Sequence, residues 1–285
     1  MILDDYYTLS NGVRIPKLGL GTWLIADDAA AGLVRQAIEI GYRHIDTAQA
    51  YENERGVGEG LRASGVARAE IFLTTKLAAE SKTLADARVR IDGSLKALAV
   101  EYIDLMLIHS PQPWSAFRKG EHFLEGNLQA WRALEEAQAA GKLRAIGVSN
   151  FEQVDLDNII GNATVKPSVN QLLAHVGNTP FELIDYSKSK GLLVEAYSPV
   201  AHGAVLGDRS LAEMAQGYGV SVAQLCIRYC LQLGLLPLPK TTNPEHLQAN
   251  AELDFTISDA DMDTLVNVER DTDYGEASRF PVFGG

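Results

Sequence analysis

Apolar residues in this chain arrive in short runs, each followed by a polar loop and then by a longer stretch in which they recur every three or four positions. The short runs read as buried strands and the longer stretches as amphipathic helices. Strands are predicted over 18–21, 44–47, 71–76, 103–109, 145–149, 168–171, 193–198 and 235–239. Helices are predicted over 28–40, 55–63, 83–99, 126–140, 151–160, 180–190 and 222–232, and over 244–251, where Pro244 suits a first turn. Gly41, Gly65, Gly141, Gly191 and Gly234 each stand just past a helix, where a left-handed cap favours glycine. Ahead of the first strand, Asn11-Gly12 inside the alternating stretch Tyr7 to Ile15 signals a hairpin. Strand and helix alternating eight times predict a TIM (β/α)8 barrel, its bottom closed by the N-terminal β-hairpin. No composition break interrupts the pattern, so residues 1–285 are read as a single domain. The competing fold is an open doubly wound sheet, whose glycine-rich turn opens a helix. Here Gly19-Leu20-Gly21 runs on into Thr22-Trp23, and Gly56-Val57-Gly58-Glu59-Gly60 lies within a helical stretch.

In such a barrel all strands end on one face, where catalytic groups collect. Asp46, Lys76 and His109 close three of the predicted strands, and Tyr51 sits in the loop after Asp46. A free phenol has a pKa of about 10, and a neighbouring ammonium lowers it. Lys76 beside Tyr51, with Asp46 holding the lysine charged, would make a proton donor, and His109 would hold a carbonyl oxygen. Taken singly, each has a plainer reading: a loop aromatic, a solvated lysine, a loop-capping aspartate, an interior histidine. Their joint placement at strand ends favours the chemical one. A glycosidase barrel would need paired carboxylates; Asp104 and Glu195, the candidates beside Asp46, lie inside strands. Three segments would border the barrel mouth: loops 110–125 and 199–208, and the irregular tail beyond Arg270.

Composition narrows the partners. With 25 basic and 37 acidic residues the net charge is −12, which disfavours nucleic acid and anionic membrane surfaces. No apolar run is long enough to span a bilayer, and no basic stretch followed by an apolar one opens the chain. Cys226 and Cys230 are read as small buried hydrophobes, since no other cysteine or histidine completes a metal-ligand set. A reducing, cytoplasmic setting is expected.

Ordered motifs then give a family likeness. Pro16-Lys17-Leu18-Gly19-Leu20-Gly21-Thr22-Trp23, Gly41-Tyr42-Arg43-His44-Ile45-Asp46-Thr47-Ala48 and Tyr51-Glu52-Asn53-Glu54 open the series. Thr75-Lys76-Leu77, Asp104 to His109, Ile146-Gly147-Val148-Ser149-Asn150-Phe151, Asn170-Gln171, Ala196-Tyr197-Ser198-Pro199 and Pro239-Lys240-Thr241 complete it. Over nearly its whole length the chain resembles the aldo-keto reductases, in particular the bacterial branch similar to 2,5-diketogluconate reductase and prostaglandin F synthase. The resemblance implies a barrel that binds NAD(P)H without a Rossmann domain, reduces carbonyl compounds, and is a monomer. It makes Tyr51 the general acid, tuned by Lys76 and Asp46, with His109 orienting the carbonyl. By the same likeness Tyr197 stacks on the nicotinamide, while Ser149, Asn150 and Gln171 bond its carboxamide. Thr22 and Asp46 border the cofactor. Ser198 also borders the cofactor, and Pro199, Val200 and Leu206 belong to a loop, 199–209, folded over the pyrophosphate. Lys240, Thr241, Thr242, His246 and Asn250 surround the adenosine end. Without that likeness, Tyr197 reads as a core aromatic and Ser149-Asn150 as a helix cap before Phe151.

The chain departs from the family pattern at both ends of the site. His246 stands where an arginine is usual near the 2′-phosphate, and Ala249 where a glutamate is usual against the adenine. Arginine is a permanent forked cation and histidine mostly neutral near pH 7, so NADPH is expected with NADH use left open. In the substrate pocket Trp23 matches, but Ala78 and Ser110 replace frequent aromatics; Trp114 is placed to compensate. The resulting expectation is an NAD(P)H-dependent carbonyl reductase acting on a small aldehyde or ketone, with Trp23, Tyr51, His109 and Trp114 facing substrate. The alternative is a non-catalytic nicotinamide-nucleotide-binding barrel, a sensor or structural subunit, and a weaker third is a barrel hydrolase.

Overall fold

The structure is a computed structural model that describes residues 1–269 and 273–283. Of the tail, Arg270, Asp271, Thr272, Gly284 and Gly285 lie outside the described residues. A two-stranded antiparallel hairpin, β1 (Tyr6–Thr8) and β2 (Arg14–Pro16), comes first. Gly12 turns it at φ +84°, and the Asn11 side chain accepts a bond from Val13 N. Eight strands follow in one parallel sheet, in chain order: β3 (Leu20–Gly21), β4 (His44–Asp46), β5 (Phe72–Leu77), β6 (Ile103–Ile108), β7 (Leu143–Ser149), β8 (Val169–Leu173), β9 (Leu193–Tyr197) and β10 (Leu236–Leu238). The sheet curls until its edges meet. Gly19 N donates to Pro237 O at 3.2 Å and Gly21 N to Pro239 O at 3.0 Å, which closes the cylinder between β3 and β10.

Helices cover the outside: α1 (Asp27–Ile40), α2 (Glu54–Ala63), α3 (Leu84–Leu98), α4 (Leu124–Ala139), α5 (Gln153–Asn162), α6 (Phe181–Ser189), α7 (Arg209–Tyr218), α8 (Val222–Gln232) and α9 (Pro244–Ala251), with α10 (Asp259–Val266) after them. The expected strands and helices are all present, with ends moved by a few residues, and two helices are additional. Helix α7 is capped by Asp208, which accepts from Leu211 N, and α10 by Ser258, which accepts from Asp261 N. The three glycines of α2 serve packing. A Cβ on Gly56 would lie 2.0 Å from Asp27 O, one on Gly58 2.1 Å from Leu98 O, and one on Gly60 2.7 Å from Ala31 O. Their bare backbone lets α2 wedge against the start of α1 and the end of α3.

Alternation along the strands sorts the core. Leu105 and Leu107 of β6 point into the cylinder, where they join Ala145, Val169, Leu236 and Leu238. Met106 and Ile108 point outward to the helix layer. Both faces of β6 are buried, so it reads as an apolar run broken only by Asp104. Leu9 and Ile15 of the hairpin segment complete the interior cluster and stop the cylinder at its N-terminal end. The residues one pleat nearer the other end are polar, and they form the site.

Candidate active site

On six of the strands an inward-facing residue at or just past the C-terminal end is polar or aromatic and faces the open end. It is Asp46 on β4, Lys76 on β5, Ser149 on β7, Gln171 on β8 and Tyr197 on β9, with His109 one residue past β6. All but Lys76 line a cavity of about 560 Å³, and Lys76 lies buried beneath its floor. Lys76 is fully buried, and its Nζ donates to Asp46 Oδ1 at 2.5 Å, to Thr47 O at 3.0 Å and to Tyr51 Oη at 3.2 Å. Tyr51 reaches the same point from a short 3-10 turn, Gln49–Tyr51, which Gln49 anchors through Nε2 to Arg90 O and Ser94 Oγ. The His109 ring lies edge-on to Tyr51 at 5.6 Å between centroids, and Trp114 stands edge-on to His109 at 5.0 Å.

The charges are set by burial and by this chain of contacts. Burial opposes the ammonium of Lys76, but Asp46 and Tyr51 outweigh it, and the amine ends above its ordinary 10.5. It is charged throughout the neutral range. Burial pushes the Tyr51 phenol above 10, with Lys76 pulling down and Asp46 pushing up. The sequence reading had the sign of the lysine's effect right, but burial is the larger influence, so the net direction is upward. The phenol is therefore a neutral, proton-bearing group at pH 7. Burial, then the Lys76 charge, hold His109 well below 6.5, which leaves a neutral imidazole with one N–H. Its Nδ1 is buried with no hydrogen-bond partner among the described residues.

A second polar cluster adjoins the first. Ser149 Oγ donates to Gln171 O at 2.9 Å, and Asn150 Nδ2 donates to His109 O at 3.0 Å. Tyr197 Oη donates to Asn150 Oδ1 at 2.7 Å. Asn150 sits in the left-handed region at φ 61°, and α5 starts only at Gln153 with Glu152 at its cap, so Asn150 turns into the cavity instead of capping a helix. Gln171 Nε2 donates to Asp46 Oδ2 at 2.9 Å and to Glu195 Oε2 at 2.6 Å. Glu195 is fully buried; burial and the Asp46 charge push its carboxyl up from 4.5 to about 8, against Gln171 and Lys76.

The cavity walls hold most of the remaining expected residues. Trp23 and Trp114 line it, as do Ser198, Pro199, Val200 and Leu206 of the β9–α7 loop, and Lys240. Thr22 does not: it has no accessible surface, and its hydroxyl donates to Asp46 O at 2.9 Å. Thr241, Thr242, His246 and Asn250 lie past Lys240, on the turn into α9 and on α9 itself, and are not part of the cavity wall. Asp104 faces the other end of the cylinder, in ion pairs with Arg68 at 2.6 Å and Arg144 at 2.7 Å, remote from any role as a catalytic carboxylate.

A model of the Aldo/keto reductase family matches residues 17–270. The chain belongs to that family. It is 39% identical over 275 residues to the glyoxal reductase of Bacillus subtilis, covering 96% of each chain. Its structure superposes on that of an aldo/keto reductase from Brucella melitensis with a TM-score of 0.86 at 36% identity, covering 92% of this chain and 98% of that one. It superposes on an aldo-keto reductase of Bombyx mori in complex with NADP with a TM-score of 0.85 at 31% identity, covering 99% of both.

In this aldo/keto reductase several wall residues escaped the sequence reading. Phe280 and Phe283 of the tail cross the mouth and pack on Trp23, at 4.8 and 5.7 Å between centroids. His202 packs edge-on between Trp23 and Phe283, at 5.1 and 4.4 Å between centroids. The loop and the tail were expected at the mouth, and they line it; which of their side chains meet there no local pattern marks. Glu195 carried a readable signal: it lies two positions before Tyr197 on one strand, hence on the same inward face.

Proposed function

We propose that this protein is an NAD(P)H-dependent carbonyl reductase in which Tyr51 is the general acid. The observation that carries the reading is the meeting of Tyr51 Oη with the buried, Asp46-paired Lys76 at 3.2 Å, on the floor of a cavity that His109 also lines. The cavity fits a nicotinamide dinucleotide on its own chemistry. A polar cluster of Ser149, Asn150 and Gln171 stands beside the catalytic floor, Tyr197 offers an aromatic face, and Lys240 offers a cation on the wall. Ser149, Asn150 and Gln171 would hold the carboxamide, the loop from Ser198 to Leu206 the pyrophosphate, and Lys240 with its neighbours Thr241, Thr242 and His246 the adenosine phosphate.

The bound dinucleotide supplies the hydride that adds to the carbonyl carbon. The protein's part is the oxygen. His109, as a neutral imidazole, donates its N–H to that oxygen and holds it beside Tyr51. Tyr51 Oη carries the proton that the oxygen receives. Lys76 Nζ stabilises the negative charge left on the phenol, and it stays charged because Asp46 is paired with it. Trp23, Trp114, Phe280 and Phe283 exclude water from the mouth and offer an apolar wall to a small aldehyde or ketone. A monomeric enzyme of the reducing cytoplasm fits this reading, as both cysteines are buried free thiols. Among the described residues no helix is long and apolar enough to cross a membrane.

The test is a titration with NADPH followed by a panel of aldehydes, including glyoxal, with cofactor absorbance as the readout. Oxidation of NADPH dependent on aldehyde is expected; tight binding without any turnover would sink the enzyme and favour a nucleotide-binding barrel. The phosphate contact has its own test. Lys240 is exposed and free to meet a 2′-phosphate. Lys240→Ala is expected to raise the KM for NADPH about tenfold, the size of one charge-assisted hydrogen bond, and to leave that for NADH within about twofold. Equal rises for both dinucleotides would remove the phosphate role.

A further inference from the structure

Glu195 is a fully buried carboxyl group that the reaction as derived above does not use. It stands directly beside Gln171 in the parallel register of β8 and β9, on the same inward face. The backbone of Gln171 is fixed, because its carbonyl accepts from Asn150 N at 3.0 Å and from Ser149 Oγ at 2.9 Å. Its side-chain amide is held just as firmly. The Asp46 carboxylate is itself fixed by Lys76 and can only accept, so it selects the nitrogen end of the amide, at 2.9 Å. Glu195 Oε2 takes the second bond from the same nitrogen, at 2.6 Å. An amide nitrogen has two protons, and both are now committed inside the cylinder. What Gln171 has left for the cavity it lines is its carbonyl oxygen.

We propose that Glu195 is a positioning residue that makes Gln171 an acceptor-only contact for the carboxamide N–H of the bound nicotinamide. The inference rests on the reductase reading and adds to it a source of cofactor selectivity. With Asp46 alone, one amide proton of Gln171 would lack an acceptor, and the nitrogen could offer it to the ligand. With Glu195 present, the site rewards a ligand group that donates at this point and gives nothing to one that can only accept. Protonation suits Glu195 to the task. As a neutral acid it accepts through one oxygen without placing a second full negative charge beside Asp46. Its Oε1 has no hydrogen-bond partner among the described residues.

The probe is a pair of oxidised dinucleotides that differ at one group. NADP⁺ carries a carboxamide; 3-acetylpyridine adenine dinucleotide phosphate carries an acetyl group, which has the carbonyl but no N–H. Binding is read by quenching of the fluorescence of Trp23 and Trp114, which line the cavity, so no turnover enters the measurement. The ratio of the two dissociation constants is compared in wild type, Glu195→Met and Glu195→Gln. Methionine has nearly the volume of glutamate and no carboxyl acceptor. Glutamine keeps a carbonyl oxygen for Gln171. The preference for NADP⁺ is expected to fall about fivefold in Glu195→Met, the size of one net hydrogen bond, and to return in Glu195→Gln. Should Glu195→Met not fold, Glu195→Leu takes its place with the same expectation. An unchanged ratio in the folded apolar variant, or an equal loss in Glu195→Gln, overturns the proposal. Failure of the wild-type chain to bind either dinucleotide would instead overturn the reductase reading, and this proposal with it.

Discussion

Replacing Tyr51 by phenylalanine is expected to lower turnover by about a thousandfold while the affinity for NADPH changes less than about twofold. The magnitude follows from the job assigned to the hydroxyl. A positioned proton donor contributes about 10²- to 10⁴-fold, and no other group is placed to substitute for it. Lys76 keeps its bond to Asp46 at 2.5 Å and to Thr47 O at 3.0 Å, so the variant loses one of three contacts on the amine and retains the buried ion pair. His109 still lies at the cavity floor, but as a neutral imidazole held well below 6.5 it supports the substrate oxygen without delivering a full proton at neutral pH. Cofactor affinity should survive because the residues proposed to hold the dinucleotide, Ser149, Asn150, Gln171 and Lys240, do not touch the phenol oxygen. Single-turnover rates together with NADPH titration separate the two effects. A variant that turns over at a tenth of the wild-type rate or better would remove Tyr51 from the mechanism.

Glu195→Gln is expected to make the protein more resistant to denaturation at pH 8 than the wild type, and the gap should close toward pH 5. The carboxyl of Glu195 is pushed up from 4.5 to about 8 in the folded chain, first by burial and then by the charge of Asp46. A group whose folded pKa is raised contributes its full share of stability below the unfolded value, and that share is lost as pH climbs through the folded one. From 4.5 to about 8, at about 1.4 kcal/mol per pH unit, the loss sums to about 5 kcal/mol. That compares with a total stability of about 5–15 kcal/mol for an ordinary domain. Glutamine cannot ionise, keeps the shape, and keeps an acceptor for Gln171. Urea midpoints measured for both proteins from pH 5 to pH 8 give the difference directly, and the difference cancels every other titrating group that the two share. Parallel curves would mean that Glu195 is already ionised in the fold.

Most of the architecture could be read from the chain because barrel strands are buried on both faces. Ile103–Ile108 is apolar at every position but Asp104 for that reason, and short runs rich in apolar residues, each followed by a polar loop, located the eight strands. Helices α7 and α10 escaped because each follows an irregular segment; Asp208 and Ser258 were the cap signals that mark their starts. Asp46, Lys76 and His109 were legible as strand ends, since a parallel barrel sends every such end to one rim. Three things were not. The direction in which Tyr51 titrates depends on how much protein surrounds it, which is a property of the assembled cavity. The place of Glu195 was obscured by treating a strand interior as hydrocarbon throughout, whereas this cylinder turns polar one pleat below its rim. The tail was placed at the mouth by its position in the chain, but which of its side chains meet Trp23, namely Phe280 and Phe283, obeys no local period and follows only from the folded chain.

The line along which β3 meets β10 is stitched differently from the rest of the wall. Proline has no N–H, so Pro237 and Pro239 accept from Gly19 and Gly21 and return nothing. The traffic of bonds across this line is one-way, where each neighbouring pair of strands exchanges them in both directions. Amide exchange should therefore begin here, at Gly19 and Gly21, ahead of the other strand amides. Gly21 and Lys240 border the cavity beside this line, so the least firmly laced edge of the cylinder is also part of the wall around the site.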